Sequence, residues 1–98
     1  KVGLTEEARK DVGAAVRFIA AEGGNPEAAL RLGHELLDTA PSLAILPRRG
    51  APVRRRPGMR KLSHRHWLIF YQVNDAEQWV EIVRIWDGRK NPDTLHLP

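Results

Sequence analysis

The hydrophobic period changes once along this chain, and that change constrains the fold more than any other feature. From Ala8 to Leu43 apolar residues recur at helical spacing, whereas from Met59 to Trp86 they become β-branched and aromatic and stand in short runs. A chain that finishes its helices before it starts its main strands belongs to the α+β class, with helices on one side of an antiparallel sheet. At 98 residues it is expected to form one domain over residues 1–98. With no cysteine there is no disulfide framework, thiolate metal site or cysteine nucleophile, so the apolar core alone must hold the fold.

Val2 and Leu4 open a short extended segment. Thr5 then offers a side-chain oxygen to the free amides of a first turn carrying Glu6 and Glu7, which suit the positive end of the helix dipole. Ala8, Val12, Ala15, Val16 and Ile19 form the buried stripe of this first helix, and Gly23 and Gly24 end it. Asn25 as N-cap, Pro26 at the first helical position and Glu27 start a second helix, whose stripe of Ala29, Leu32, Leu36, Leu37, Ala40 and Leu43 is expected to face the first. The short connection predicts an antiparallel helical hairpin, with Pro41 kinking the second helix or beginning a separate last turn through Leu46. Pro47, Gly50, Pro52, Pro57 and Gly58 punctuate a basic loop expected to be irregular. MRKLSH, WLIFYQV and VEIVRIW read as strands, with a turn at Asn74-Asp75, a turn over DGRKNPD and a frayed LHLP tail. The resulting order is β-α-α-β-β-β.

In the middle strand Trp67, Ile69, Tyr71 and Val73 share one face, and Leu68, Phe70 and Gln72 the other. The helical hairpin can cover the first face. Nothing else in the chain is expected to cover the second, which predicts a protein partner there. Charge is segregated in the same region. Eight of the 16 basic residues and none of the 12 acidic ones lie between Asp38 and Asp75, so the stretch attracts polyanions or an acidic protein.

Phosphate-cradling GxxxxGK[ST] and GxGxxG motifs are missing, which argues against nucleotide-dependent catalysis. His64 and His66 have the spacing of two metal ligands on one strand face, but a third ligand is not evident and no metal or other cofactor is expected. His34 reads as a helix-surface residue. A metal-free ribonuclease needs a base, an acid and phosphate-binding cations. Cations are plentiful, and His64, His66, Glu81, Asp87 and Tyr71 are the available acid–base groups. No apolar run is long enough to span a bilayer, the N-terminal segment lacks the apolar core of a secretory signal, and Lys1 suggests a processed start.

LTEEARKDVGAAVRFIA, NPEAALRLGHELLDTAPSLAILPRRGAPV, GMRKLSHRHWLIFYQV and VEIVRIWDGRKNPD, in this order and spacing, resemble the RelE/ParE superfamily of bacterial type II toxins almost end to end. The resemblance implies a cytoplasmic bacterial toxin held in a hetero-oligomer by a cognate acidic antitoxin that folds across the sheet. Antitoxin contacts are then expected at Leu68, Phe70, Arg54, Arg55, Arg56 and Arg60, and target contacts at Arg84, Arg89 and Lys90. The RelE-like branch cleaves ribosome-bound messenger RNA, and its functional positions would map onto Arg60, Lys61, Arg89 and, as a substitute terminal acid–base group, His96. That branch carries an arginine early in the third strand, where this chain has Leu68, and often a terminal tyrosine, where it has Thr94 and Leu95. The ParE-like branch inhibits DNA gyrase by binding, without nuclease chemistry, and the apolar third-strand face is more similar to it. ParE-like gyrase inhibition is therefore the favoured expectation. The alternatives are a RelE-like ribonuclease and a divergent, non-toxic antitoxin-binding module.

Overall fold

The computed structural model describes residues 1–90 and 95–97. The elements are β1 (Val2–Leu4), α1 (Glu6–Gly23), α2 (Pro26–Ile45), β2 (Ala51–Pro52), β3 (Met59–His64), β4 (Trp67–Asn74) and β5 (Trp79–Asp87). They form one five-stranded sheet in the order β1-β5-β4-β3-β2 with the helical hairpin on one face.

The helix signals act as the sequence implies. Thr5 Oγ1 accepts from the Ala8 amide at 3.1 Å, and the same hydroxyl donates to the Val83 carbonyl at 2.9 Å, so one residue caps α1 and ties it to β5. Gly24 ends α1 at φ 60°, a conformation that a side chain disfavours, and Asn25 Oδ1 accepts from the Ala28 amide. In α2, Pro41 starts no separate turn. The helix runs continuously to Ile45, and the Thr39 and Ser42 hydroxyls donate to the Leu36 and Thr39 carbonyls around the missing proline amide.

Four local expectations change, the first being that Leu37, expected in the stripe facing α1, turns outward on α2 and is 44% exposed. The sheet is mixed rather than wholly antiparallel, because β5, the last strand, enters between β4 and β1 and runs parallel to β1. Three residues at the start of a chain carry too little pattern to declare their direction. The basic loop is not entirely irregular: Ala51 and Pro52 pair with Lys61 and Arg60 as an edge strand, where a proline without an amide is tolerated. His66 leaves the strand that His64 occupies, because Arg65 and His66 form a tight turn with Arg65 at φ 57°. Of the turn expected over 87–93, residues 91–93 lie outside the described residues.

The main core lies between the sheet and the hairpin, with Ala8, Leu36, Leu43, Ile69, Tyr71 and Ile82 essentially inaccessible. A bulge between Phe70 and Tyr71 leaves Val83 unmatched in the β4–β5 register and sends it to the opposite face, beside Phe70 and Met59. Beyond Ile82 the β5 edge has no β1 partner. Asp11 of α1 fills that gap, accepting from the Ile85 amide at 2.9 Å and from Arg84 Nε and Nη2 at 2.8 and 3.1 Å.

Candidate functional site

The second face of the sheet is where the strand pattern and the charge segregation meet. Alternation along β3 and β4 directs Met59 and Lys61, and Leu68 and Phe70, to this side, and Trp86 joins them from β5. Arg54, Arg55 and Arg56 rim the same depression, which encloses about 680 Å³. The loop is pinned close to the sheet by glycine. The Gly50 amide donates to the buried Tyr71 hydroxyl at 2.8 Å, and a Cβ at Gly50 would lie 2.7 Å from that oxygen. Val53 follows, its amide donating to the Met59 carbonyl at 2.9 Å, and its side chain packs on the Phe70 cluster.

The face is not bare. Leu95 and Leu97 lie against Phe70, Val83 and Met59, and the Arg84 guanidinium donates to the His96 carbonyl at 3.2 Å. Residues 95–97 of the tail expected to fray therefore pack, Pro98 lying outside the described residues, and the face expected to lack any cover from its own chain has some, leaving Phe70 only 5% exposed. The cover is thin, since Leu68, Leu95 and Leu97 all remain half-buried. Leu95 and Leu97 are two residues apart, the spacing that puts both on one side of an extended chain; their distance from any other apolar residue hid that signal.

Arg60 and Lys61, adjacent on β3, point to opposite faces. Lys61 enters the groove, whereas Arg60 turns to the helix side and donates through Nη1 to the Gly50 and Arg48 carbonyls at 2.7 and 3.3 Å. Arg60 thus holds the base of the basic loop, and Arg54, Arg55 and Arg56 lie in the groove without it.

The cations after the last strand gather at one end of the sheet. Asp87 is buried and accepts from Arg89 Nε and Nη2 at 3.0 and 2.9 Å and from the Arg89 amide at 3.0 Å. These bonds hold its carboxyl down at about 2, against a smaller opposing effect of desolvation. The Arg89 pKa is raised in return by its hydrogen bond to Asp87. Lys90 Nζ stands 5.9 Å from the centre of the Trp86 ring. Arg84 is engaged with Asp11, a hydrogen-bonded pair that raises its pKa, and it contributes to the β5 edge rather than to the exposed cationic end formed by Arg89 and Lys90.

The histidines go separate ways. His64 Nε2 lies 3.3 Å from Glu35 of α2, which also accepts from Arg65 at 3.2 Å, while His66 Nε2 is buried without a hydrogen-bond partner, 3.9 Å from Asp87. Turn geometry separates the pair that the HxH spacing suggested. Among the described residues no group of three or more potential metal-ligating side chains converges, and no helix is long and apolar enough to cross a membrane. His96 reaches the second face through its backbone, and its side chain is exposed.

This architecture has relatives. The chain is similar to the toxin–antitoxin structure of the chromosomal ParDE system from P. aeruginosa, at 22% identity over 87% of this chain and 91% of that chain, with a TM-score of 0.74. It is also similar to the RelBE2 toxin–antitoxin complex from Mycobacterium tuberculosis (24% identity, 87% and 93% covered, TM-score 0.65). A third similar structure is the intact E. coli RelBE complex (18% identity, 91% and 96% covered, TM-score 0.59). At these identities the structures speak for the fold. No curated protein gives a significant sequence match. The family model described as ParE toxin of type II toxin-antitoxin system, parDE, matches residues 2–92, nearly the whole length over which the hairpin, sheet and cationic end are built, and the chain belongs to that family.

Proposed function

We propose that this protein inhibits DNA gyrase by binding it and is neutralised by a cognate acidic antitoxin laid along the second face of the sheet. The observation that carries the antitoxin part is the groove itself, an apolar floor of Leu68, Phe70 and Trp86 beside Arg54, Arg55, Arg56 and Lys61. An acidic segment with interspersed apolar residues satisfies both halves of that surface, burying side chains on the floor while its carboxylates meet the rim. Displacing Leu95 and Leu97 costs little, because both are only half-buried.

The choice of binding over nuclease chemistry rests on how the cations are used. Leu68 occupies a position where the ribonuclease branch places a cation, forfeiting a charge-assisted contact of roughly 1.5–3 kcal/mol. Arg60 is spent on two loop carbonyls and Arg89 on Asp87, so of the cations mapped from that branch Lys61 alone stands in the groove. Loss of a positioned acid–base group removes a further factor of about 10² to 10⁴. The exposed end formed by Arg89 and Lys90 then serves as part of the target-binding surface.

Purified protein assayed in parallel for gyrase supercoiling and for translation-dependent cleavage of messenger RNA tests this reading. Inhibited supercoiling with intact message is expected. Codon-positioned cuts with unaffected gyrase would establish the ribonuclease instead, and silence in both assays while the antitoxin still binds would establish a non-toxic binding module.

A further inference from the structure

Given the reading of this chain as a gyrase inhibitor, on which this step rests, we propose that the cavity between α1 and the open edge of β5 receives an apolar side chain of gyrase carried beside a carboxylate that meets Lys90. The cavity exists because β1 is short. β1 accompanies β5 only as far as Ile82, and from there α1 runs beside the strand instead. Asp11 bridges the start of the gap by accepting from the Ile85 amide. One turn further along α1 come Ala14 and Ala15, whose side chains end at Cβ and cannot fill it, so a hollow of about 320 Å³ is left against Trp67, Trp86 and Asp87.

Phe18 stands one turn beyond Ala14 on the lining of this hollow and is 51% exposed, the one exposed side chain among the Phe, Tyr and Trp residues of the chain. With Trp67 and Trp86 it makes the lining largely aromatic. Aromatic residues around a preformed pocket are the composition of protein-binding hot spots, where a partner's side chain enters and excludes water. Charge decides what can stand next to that side chain. Asp11 is neutralised by Arg84 and Asp87 by Arg89. Lys90, 5.9 Å from the centre of the Trp86 ring, pairs with no carboxylate among the described residues, so the sheet side of the mouth is positive. The helix side is not, because Glu7 precedes Asp11 by one turn, Glu22 follows Phe18 by one turn, and both are exposed. A partner's acid is therefore admitted at Lys90 and repelled along α1, which sets the apolar side chain beside Phe18 and the carboxylate towards the turn after β5. The occupant is the target and not the antitoxin. The cations that draw the antitoxin, Arg54, Arg55 and Arg56, rim the groove towards the β2 edge of the sheet, whereas this hollow opens on the α1 side next to the cationic end, and the two share only Trp86.

Inhibition of gyrase supercoiling by purified variants tests the proposal. Phe18→Ser and Lys90→Glu should each raise the concentration needed for half inhibition by about tenfold or more. Ala14→Trp removes no contact but fills the hollow from the exposed side of the helix, and it should do the same. Leu30→Ser, at an equally exposed apolar position on α2, should leave inhibition unchanged. All four should keep the wild-type circular dichroism spectrum and hold affinity for the cognate antitoxin within about twofold. Full inhibition by Phe18→Ser and Ala14→Trp, with wild type active, would overturn the anchor and leave the inhibitor reading standing. Antitoxin affinity lost in these variants while supercoiling stays inhibited would put the antitoxin in the hollow and overturn it as well. No inhibition by wild type would overturn the inhibitor reading itself, and this proposal with it.

Discussion

The two faces of the sheet are built from the same strands yet differ in what covers them. On one, α1 and α2 supply a cover of 18 and 20 residues that buries Leu36, Leu43, Ile69 and Tyr71 almost completely. On the other, the cover is Val53 from the basic loop and Leu95 and Leu97 from the tail, which leaves Leu68 and Trp86 half-buried. Alternating side chains therefore give one strand two roles. Ile69 and Tyr71 lie in the core beneath the hairpin, while Leu68 and Phe70 face the thinly covered side, which the proposed function assigns to the antitoxin.

This difference can be broken most sharply from the helix side. Leu36→Ala removes a side chain that is 0% exposed, and its cost should be about 2–5 kcal/mol in urea unfolding, enough to endanger a domain of this size. Asp11→Ala should come next, at roughly 2–3 kcal/mol. It strands the Ile85 amide at the uncovered part of the β5 edge and leaves the partly buried Arg84 without its partner. On the second face, Leu95→Ser with Leu97→Ser should cost less than about 1.5 kcal/mol in the same measurement, because neither leucine is fully withdrawn from water. If the double tail variant proved as damaging as Leu36→Ala, the second face would be core rather than docking surface.

Acid sharpens the comparison at the cationic end. The Asp87 carboxyl is depressed from 3.8 to about 2, so the stability it supplies is fully present above its unfolded value and is lost as pH falls through the folded value. Wild-type unfolding midpoints should accordingly decline between about pH 4 and pH 2 more steeply than those of Asp87→Asn, which lacks this contribution throughout. Equal slopes would mean that the carboxylate and Arg89 are not paired in solution. The smallest effect on stability is expected for the rim. Changing Arg54, Arg55 and Arg56 to Gln should alter it by less than about 1 kcal/mol while slowing association with an acidic antitoxin and flattening its dependence on salt.

Much of this is legible in the amino-acid sequence. Thr5 and Asn25 mark helix starts with side chains whose only nearby use is capping, and the run from Trp67 to Val73 declares its two faces through alternation. The groove was legible in part for the same reason, since Leu68 and Phe70 share a strand face and the arginines share a loop without acids. Long-range placement was not legible. Whether Arg60 faces the groove or the hairpin depends on the register of β3 and on the Gly50 carbonyl it meets, neither of which adjacent residues encode. Asp11 is a helix-surface carboxylate by pattern, and only the short length of β1 exposes the edge amide that makes it structural. Leu95 and Leu97 carry too few apolar neighbours to show by period that they return to the sheet.

The division of labour between the two faces is tested most directly by the affinity of the cognate antitoxin for two variants with the same change in charge. Leu68→Glu places a carboxylate on the groove floor and should weaken binding at least a hundredfold, whereas Leu30→Glu, on the outward face of the hairpin, should leave it within about twofold of wild type. The opposite pattern, with Leu30→Glu abolishing the complex and Leu68→Glu tolerated, would place the antitoxin on the helices and contradict the account.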